Sequence, residues 1–301
     1  MISKVQLRLQ FLVLLWGFTG VFGKLVTMSA LSMVWYRVLI GAIAVFIYMK
    51  FRKMDFKVTK NELLKLLAIG GIVGIHWFTF YLSIKLSNIS IALSTLSMGA
   101  LFSAILEPIF FKRKINLLEI ILAIIVSTCV AVIFNASPED YKLGIIIGIL
   151  CSFLSALFAV LNSRLPKSIK PTKVTLYEMI GGVITLSVVM ILFQPEAISE
   201  VVNISWSNLG WLTLLGVIFT AFAQIESVDL LKHVSAFTLM LNVNLEPVYG
   251  IILASLIFGD SEHMNPIFYI ATGIMVLSII MNGILKTRFS KQFIVKKTHL
   301  F

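Results

Sequence analysis

Charge is scarce in this chain. Only 13% of its 301 residues are Asp, Glu, Lys or Arg, about half the ~25% of a soluble domain. So little charge cannot coat a globular surface of this size, and the loops left between apolar runs are too short for a soluble catalytic module. Cysteine is scarce too. Cys129 and Cys151 both sit inside apolar runs, which excludes a disulfide framework and reads as small packing residues. The four histidines are scattered without metal-ligand spacing, so no metal is expected. The chain has no phosphate-cradling Gly-rich loop ending in Lys, no His-x-x-x-His, no Asp-rich motif and no nucleophile elbow. No catalytic residue, no cofactor and no ATP-driven transport within this chain are therefore expected.

Long hydrophobic runs fill the space instead. The chain is 59% hydrophobic, with a mean hydropathy of +1.00. A hydrocarbon core of ~30 Å needs ~20 apolar helical residues. Ten segments meet that need: Leu9–Thr27, Leu31–Met49, Leu63–Ile84, Ile89–Phe111, Leu117–Phe134, Leu143–Leu161, Val174–Phe193, Leu209–Leu231, Phe237–Phe258 and Pro266–Leu285. Lys4 and Arg8 before the first run have the shape of a signal peptide. The run continues to about Thr27, longer than a signal core, so an uncleaved first helix is expected.

The net charge of +11 has a membrane explanation rather than a nucleic-acid one. Twenty of the 25 basic residues fall at the N-terminus, in alternate loops and in the tail; only Lys85 and Lys142 fall in the other loops. Those other segments are acidic, with Glu139, Asp140, Glu196, Glu200, Asp260 and Glu262. Basic loops stay cytoplasmic, so both termini are expected inside a bacterial cytoplasmic (inner) membrane. No nucleic acid is expected as a partner.

The two halves echo each other. Trp35-Tyr36-Arg37 with Gly41 aligns with Leu176-Tyr177-Glu178 with Gly182, Lys24-Leu25 with Arg164-Leu165, and Ser90 with Ser235. Five spans per half is an odd number, so the second half must run opposite to the first. That is the inverted-repeat plan of secondary transporters, with a site near the midplane. The expected fold is therefore an all-α integral membrane protein of ten transmembrane helices in two inverted five-helix repeats. The division is residues 1–137, residues 138–285 and a basic tail, 286–301.

On Leu14-Leu15-Trp16-Gly17, Trp35-Tyr36-Arg37, and the stretch from Ser235-Ala236 through Leu245-Glu246-Pro247-Val248 to Phe258-Gly259-Asp260, the chain resembles the drug/metabolite transporter superfamily, with two EamA-type halves. Asp260 replaces the Glu of the family pattern, and the first half carries Phe111-Lys112-Arg113-Lys114 at the matching place. The resemblance implies a carrier of a small metabolite, and analogy with related bacterial members favours export.

Glu246 is the sharpest candidate, because an ionisable group near the bilayer centre needs a partner or water. Helical spacing puts Asn242, Glu246, Tyr249 and Gly250 on one face, and Pro247 is expected to break the helix there. His76, Trp77, Gln224 and Trp16 are the other binding or coupling candidates, each with core packing or interhelical bonding as the plainer reading. Arg37, Lys24, Glu107 and Glu178 lie nearer span ends and read as structural or gating charges, with no Arg37–Glu178 bridge expected. The leading function is alternating-access transport of an amino acid, derivative or similar amphipathic solute. The alternative is a membrane-embedded lipid-modifying enzyme. Expected partners are the substrate and the bilayer; protons as coupling ion and a homodimer stay open.

Overall fold

The computed structural model describes residues 4–278 and 281, apart from 113, 115 and 116. The basic tail and the end of the tenth expected span lie outside the described residues. The helices run in chain order: α1 (Lys4–Gly17), α2 (Thr19–Leu25), α3 (Ala30–Phe51), α4 (Lys60–Leu86), α5 (Ile89–Leu96), α6 (Gly99–Phe111), α7 (Leu117–Ala136), α8 (Lys142–Ser163) and α9 (Pro171–Phe193). They continue with α10 (Ala197–Val202), α11 (Trp206–Gly216), α12 (Ala223–Leu230), α13 (Ala236–Val243), α14 (Glu246–Phe258) and α15 (Pro266–Ser278). Among the described residues, eight helical stretches are long and apolar enough to cross a membrane, and two apolar helices are shorter, Ile124–Ala136 and Pro266–Ser278. Large apolar side chains such as Leu256 (78% exposed) and Phe193 (75%) stand outward. In water they would be an aggregation surface; in a bilayer they meet lipid.

Polar residues set where helices start. Ser29, Asn88, Ser205 and Ser235 each accept from the backbone N–H three residues on, and Thr59 with Glu62 forms a reciprocal capping box at the start of α4.

The first, fourth, eighth and ninth spans are interrupted rather than continuous. α1 gives way to α2 at Phe18, where the Thr19 hydroxyl donates to the Trp16 carbonyl at 2.7 Å. α5 and α6 meet at Ser97-Met98. Between α11 and α12 a π-helical turn covers Val217–Phe222, and the Thr220 hydroxyl fills the Leu215 carbonyl at 2.8 Å. α13 and α14 meet at Asn244-Leu245, so Pro247 sits in the first turn of α14, where its missing N–H leaves no bond unmade.

That last break corrects the shared face expected for Asn242, Glu246, Tyr249 and Gly250. Asn242 belongs to α13 while Glu246 opens α14, and of the four only Glu246 lines the cavity described below. The fourth and ninth spans are broken alike. α5 and α13 are both 8 residues long and α6 and α14 both 13.

α4 is the central helix, packed lengthwise on α8 and α9. Its crossing with α9 is backbone to backbone. A Cβ at Gly70 would lie 2.0 Å from the Glu178 carbonyl oxygen, and one at Gly181 2.2 Å from that of Leu67. Small residues at such contacts let van der Waals packing hold apolar helices together.

Candidate functional site

The broken spans converge on one enclosed cavity. Trp16 and Thr19 reach it from either side of the first break, Leu96 from just before the second, and Val243 and Glu246 from either side of the fourth. Gln224 enters just after the π turn. Arg37 of α3 and His76, Trp77 and Phe80 of α4 line the opposite wall, and Ser155, Phe158 and Met240 complete it. Irregular backbone at membrane depth is tolerated where it lines a cavity, and half-helix ends there supply the polar groups of transporter sites.

Arg37 is the most heavily bonded wall residue. It is 1% exposed. Its Nε donates to Thr220 Oγ1 at 2.5 Å, one terminal nitrogen to the Tyr81 hydroxyl at 2.7 Å, and the other to the Phe219 carbonyl at 3.2 Å. The guanidinium lies 4.8 Å from the centre of the Trp77 ring. The π turn explains two of these partners, because its altered bonding leaves Phe219 O and Thr220 Oγ1 turned toward α3. All three acceptors are neutral, so the bonds orient the cation without cancelling its charge.

Glu246 faces the same cavity. It is 4% exposed and begins α14, whose N-terminal dipole favours a carboxylate. Among the described residues no hydrogen bond or ion pair occupies its carboxyl group. Arg37 is close enough to feel its charge but is not in ion-pair contact. The aromatic rings of Trp16, Trp77, Phe80 and Phe158 share the cavity wall with the two charges.

His76 Nδ1 lies 3.0 Å from the Cys151 carbonyl oxygen. A carbonyl only accepts, so Nδ1 carries a proton and donates it. The Gln224 amide donates to Glu178 Oε2 at 2.8 Å, so Glu178 stands behind the wall rather than in it.

Of the sequence candidates, Glu246, His76, Trp77, Gln224 and Trp16 line the cavity, and so does Arg37. Asn242 and Tyr249 are outside the lining. Asn242 accepts from Gln10 at 2.8 Å, and Tyr249 packs where α14 crosses Gly17. Glu107 accepts from the Phe237 backbone N–H at 2.7 Å, at the start of α13. Ser155, Phe158, Met240 and Val243 join the cavity without a sequence signal beyond ordinary span composition.

Ion pairs close both ends of the first span. Arg8 binds Glu226 and Asp229 at 2.7 Å each. Lys24 binds the fully buried Glu262 at 2.7 Å and lies 4.5 Å from the centre of the Phe258 ring. Glu262 also accepts from the Ser90 N–H at 3.0 Å and the Ile89 N–H at 3.3 Å, capping α5. The cavity volume is about 40 Å³, room for a few waters and far below the roughly 300–1,000 Å³ of pockets for drug-sized ligands.

The pattern of the EamA-like transporter family matches residues 9–135 and again residues 142–284. The chain belongs to the EamA-like transporter family. A Bacillus subtilis (strain 168) relative, named the uncharacterized transporter YxxF, is 24% identical over 227 residues, 73% of this chain and 69% of the relative. A solved crystal structure shares the fold over 95% of this chain and 99% of its own, with a TM-score of 0.68 at 15% identity; that likeness speaks to fold alone. As an EamA-like transporter the protein is a multi-pass membrane protein whose partners are a small-molecule substrate and the lipid bilayer.

Proposed function

We propose that this transporter moves a zwitterionic solute with an apolar body, an amino acid or close derivative, by alternating access. The observation that carries this reading is the pairing of charges in one buried cavity. Arg37 presents a guanidinium held by neutral acceptors, and Glu246 presents a carboxyl group with no bonded partner among the described residues. Arg pairs bidentately with carboxylates, and a carboxylate pairs with an ammonium. A zwitterion placed between them leaves neither charge unmatched, and the aromatic wall takes its side chain. A soluble anion or cation would leave one buried charge unpaired, which costs several kcal/mol.

Ten spans, with residues 1–137 and 138–285 as inverted halves and both termini cytoplasmic, fit the charge distribution and the matching α5/α6 and α13/α14 breaks. A bacterial cytoplasmic membrane fits the Bacillus relative, and export is the direction favoured by analogy. A proton on Glu246 in the unloaded cycle, replaced by the substrate ammonium in the loaded one, gives solute–proton exchange.

The test is counterflow in proteoliposomes with a panel of labelled amino acids at matched protein density. Accumulation of at least one zwitterion, abolished by Glu246→Gln, supports the reading. Transport confined to uncharged or singly charged solutes overturns it, and pH-driven exchange that survives Glu246→Gln overturns the proton assignment.

A further inference from the structure

A second polar site lies behind Gln224, away from the cavity. Five buried side-chain atoms there have no hydrogen-bond partner within the protein: Asn162 Oδ1 and Nδ2, Thr175 Oγ1, Glu178 Oε1 and Ser227 Oγ. All four residues are 5% exposed or less. They belong together by construction. α9 and α12 come from consecutive spans and pass each other in opposite directions, joined by the Gln224–Glu178 bond. One turn back on α9 is Thr175, and one turn on along α12 is Ser227. The neighbouring Val174 and Val228 share one apolar cluster, which fixes that level. Asn162, at the end of α8, brings its amide N–H up to the Glu178 carboxylate without hydrogen-bond geometry, which leaves its Oδ1 free to face an occupant. α4 presses its Gly70 backbone onto Glu178 and holds it in place.

Orphaned polar atoms at membrane depth are expensive, each costing several kcal/mol, so the cluster is built for an occupant. A protonated Glu178 with a bridging water would satisfy these atoms without net charge, and the pH arm of the test below separates that occupancy from a cation. With Glu178 ionised, water alone leaves the carboxylate charge uncompensated, since no ion pair reaches Glu178 among the described residues. A divalent ion carries more charge than one carboxylate balances. Hard cations take carboxylate, hydroxyl and amide oxygens. We propose that Glu178, Thr175, Ser227 and Asn162 form a sodium site between α8, α9 and α12, between the central cavity and the end of the bundle that carries Arg8.

Sodium there bridges three spans and reaches the cavity wall through Gln224, whose second face lines it. Binding does not depend on the zwitterion reading, so its test needs no solute. Purified full-length protein in detergent is titrated with NaCl against choline chloride at constant ionic strength and pH, following Tm by tryptophan fluorescence, with 22Na+ binding measured in parallel. Wild type is expected to bind sodium saturably and gain on the order of 5 °C at saturation. Glu178→Gln abolishes both responses. Ser227→Ala, a small change that spares folding, weakens sodium binding tenfold or more while leaving Tm in choline near wild type. Equal Tm in the two salts with no 22Na+ binding overturns the site, as does a sodium response unchanged in Ser227→Ala and Glu178→Gln. A Tm that follows pH through Glu178 but ignores sodium replaces the sodium ion with a proton and overturns the proposal as stated.

Discussion

Replacing Glu262 by Gln opens the end of the cavity that carries Lys24. The wild-type carboxylate is 0% exposed and accepts from Lys24 Nζ, two backbone N–H groups at the start of α5, and the Ser90 hydroxyl at 3.2 Å. A Gln amide keeps one acceptor oxygen but turns an NH2 toward a donor, and it carries no charge for Lys24 or the α5 dipole. A hydrogen bond to a charged group contributes about 1.5–3 kcal/mol, and the helix-terminus interaction adds up to about 1. The combined loss is about 3 kcal/mol. Only the Lys24 bond joins the first span to Glu262; the others cap α5, so the Lys24 share, about 1.5–3 kcal/mol, falls on the closed state. At 1.4 kcal/mol per tenfold, the open population rises by about ten- to a hundredfold. The assay is thiol accessibility in intact cells. Cys129 and Cys151 are replaced by Ala, the cavity-lining Ser155 becomes Cys, and a membrane-impermeant methanethiosulfonate is added outside. Labelling is expected to speed up by between ten- and a hundredfold in Glu262→Gln. An unchanged labelling rate together with a lowered Tm would show that Glu262 is a structural staple, and the gating argument fails.

The opposite latch behaves in mirror image. Arg8→Gln breaks half-exposed pairs worth about 1 kcal/mol or less, so outside labelling of the same cysteine slows by several-fold at most; faster labelling contradicts the two-ended scheme. Gly70→Ala places a methyl against the Glu178 backbone and lowers stability by about 1–3 kcal/mol through overpacking, read as a fall in Tm; an unchanged Tm refutes the close crossing of α4 and α9. In the loop before α4, the Lys173 hydrogen bond, and then the Lys57 backbone N–H, hold the Asp55 carboxyl below its usual 3.8. A depressed value means that its contribution is complete above pH 3.8 and vanishes as pH falls through the lower folded value. The Tm gap between wild type and Asp55→Asn should therefore stay constant from pH 5 to 8 and close only in stronger acid; a gap that changes between pH 5 and 8 is the contrary result.

Much of the fold was written in the hydropathy of the chain. Lengths of apolar run gave eight of the ten expected spans within a few residues among the described residues; of the aligned pair Ser90 and Ser235, Ser235 caps α13, whereas Asn88 caps α5 and Ser90 sits in its first turn. The interruptions were only partly marked. Ser97-Met98 and Asn244-Leu245 hold neither Pro nor Gly themselves; the local marks are Gly99 just after the first and Pro247 just after the second. Pro247 marks the helix break at the right place, as the second residue of α14, while a single face drawn from Asn242 to Gly250 treats the two helices as one. The π turn at Val217–Phe222 has no composition cue, yet it supplies the acceptors that hold Arg37. Partners such as Lys24 with Glu262 or Arg8 with Glu226 are more than two hundred residues apart, and a single chain's pattern carries no information on such pairings. Trp16, His76, Trp77, Gln224 and Glu246 could be nominated because polar or aromatic groups inside spans are few; their meeting in one cavity required the three-dimensional arrangement.

The central claim is that Arg37 and Glu246 receive the two ends of a zwitterion. The most direct measurement is equilibrium binding of a transported amino acid beside its methyl ester and its N-acetyl derivative, in wild type and Glu246→Gln. The account predicts that each derivative binds wild type at least about thirtyfold more weakly, because each leaves one buried charge unpaired, a loss of about 2–5 kcal/mol. It also predicts that Glu246→Gln narrows the gap for the N-acetyl form while keeping it for the ester. Equal binding of amino acid, ester and N-acetyl derivative by wild type would contradict it.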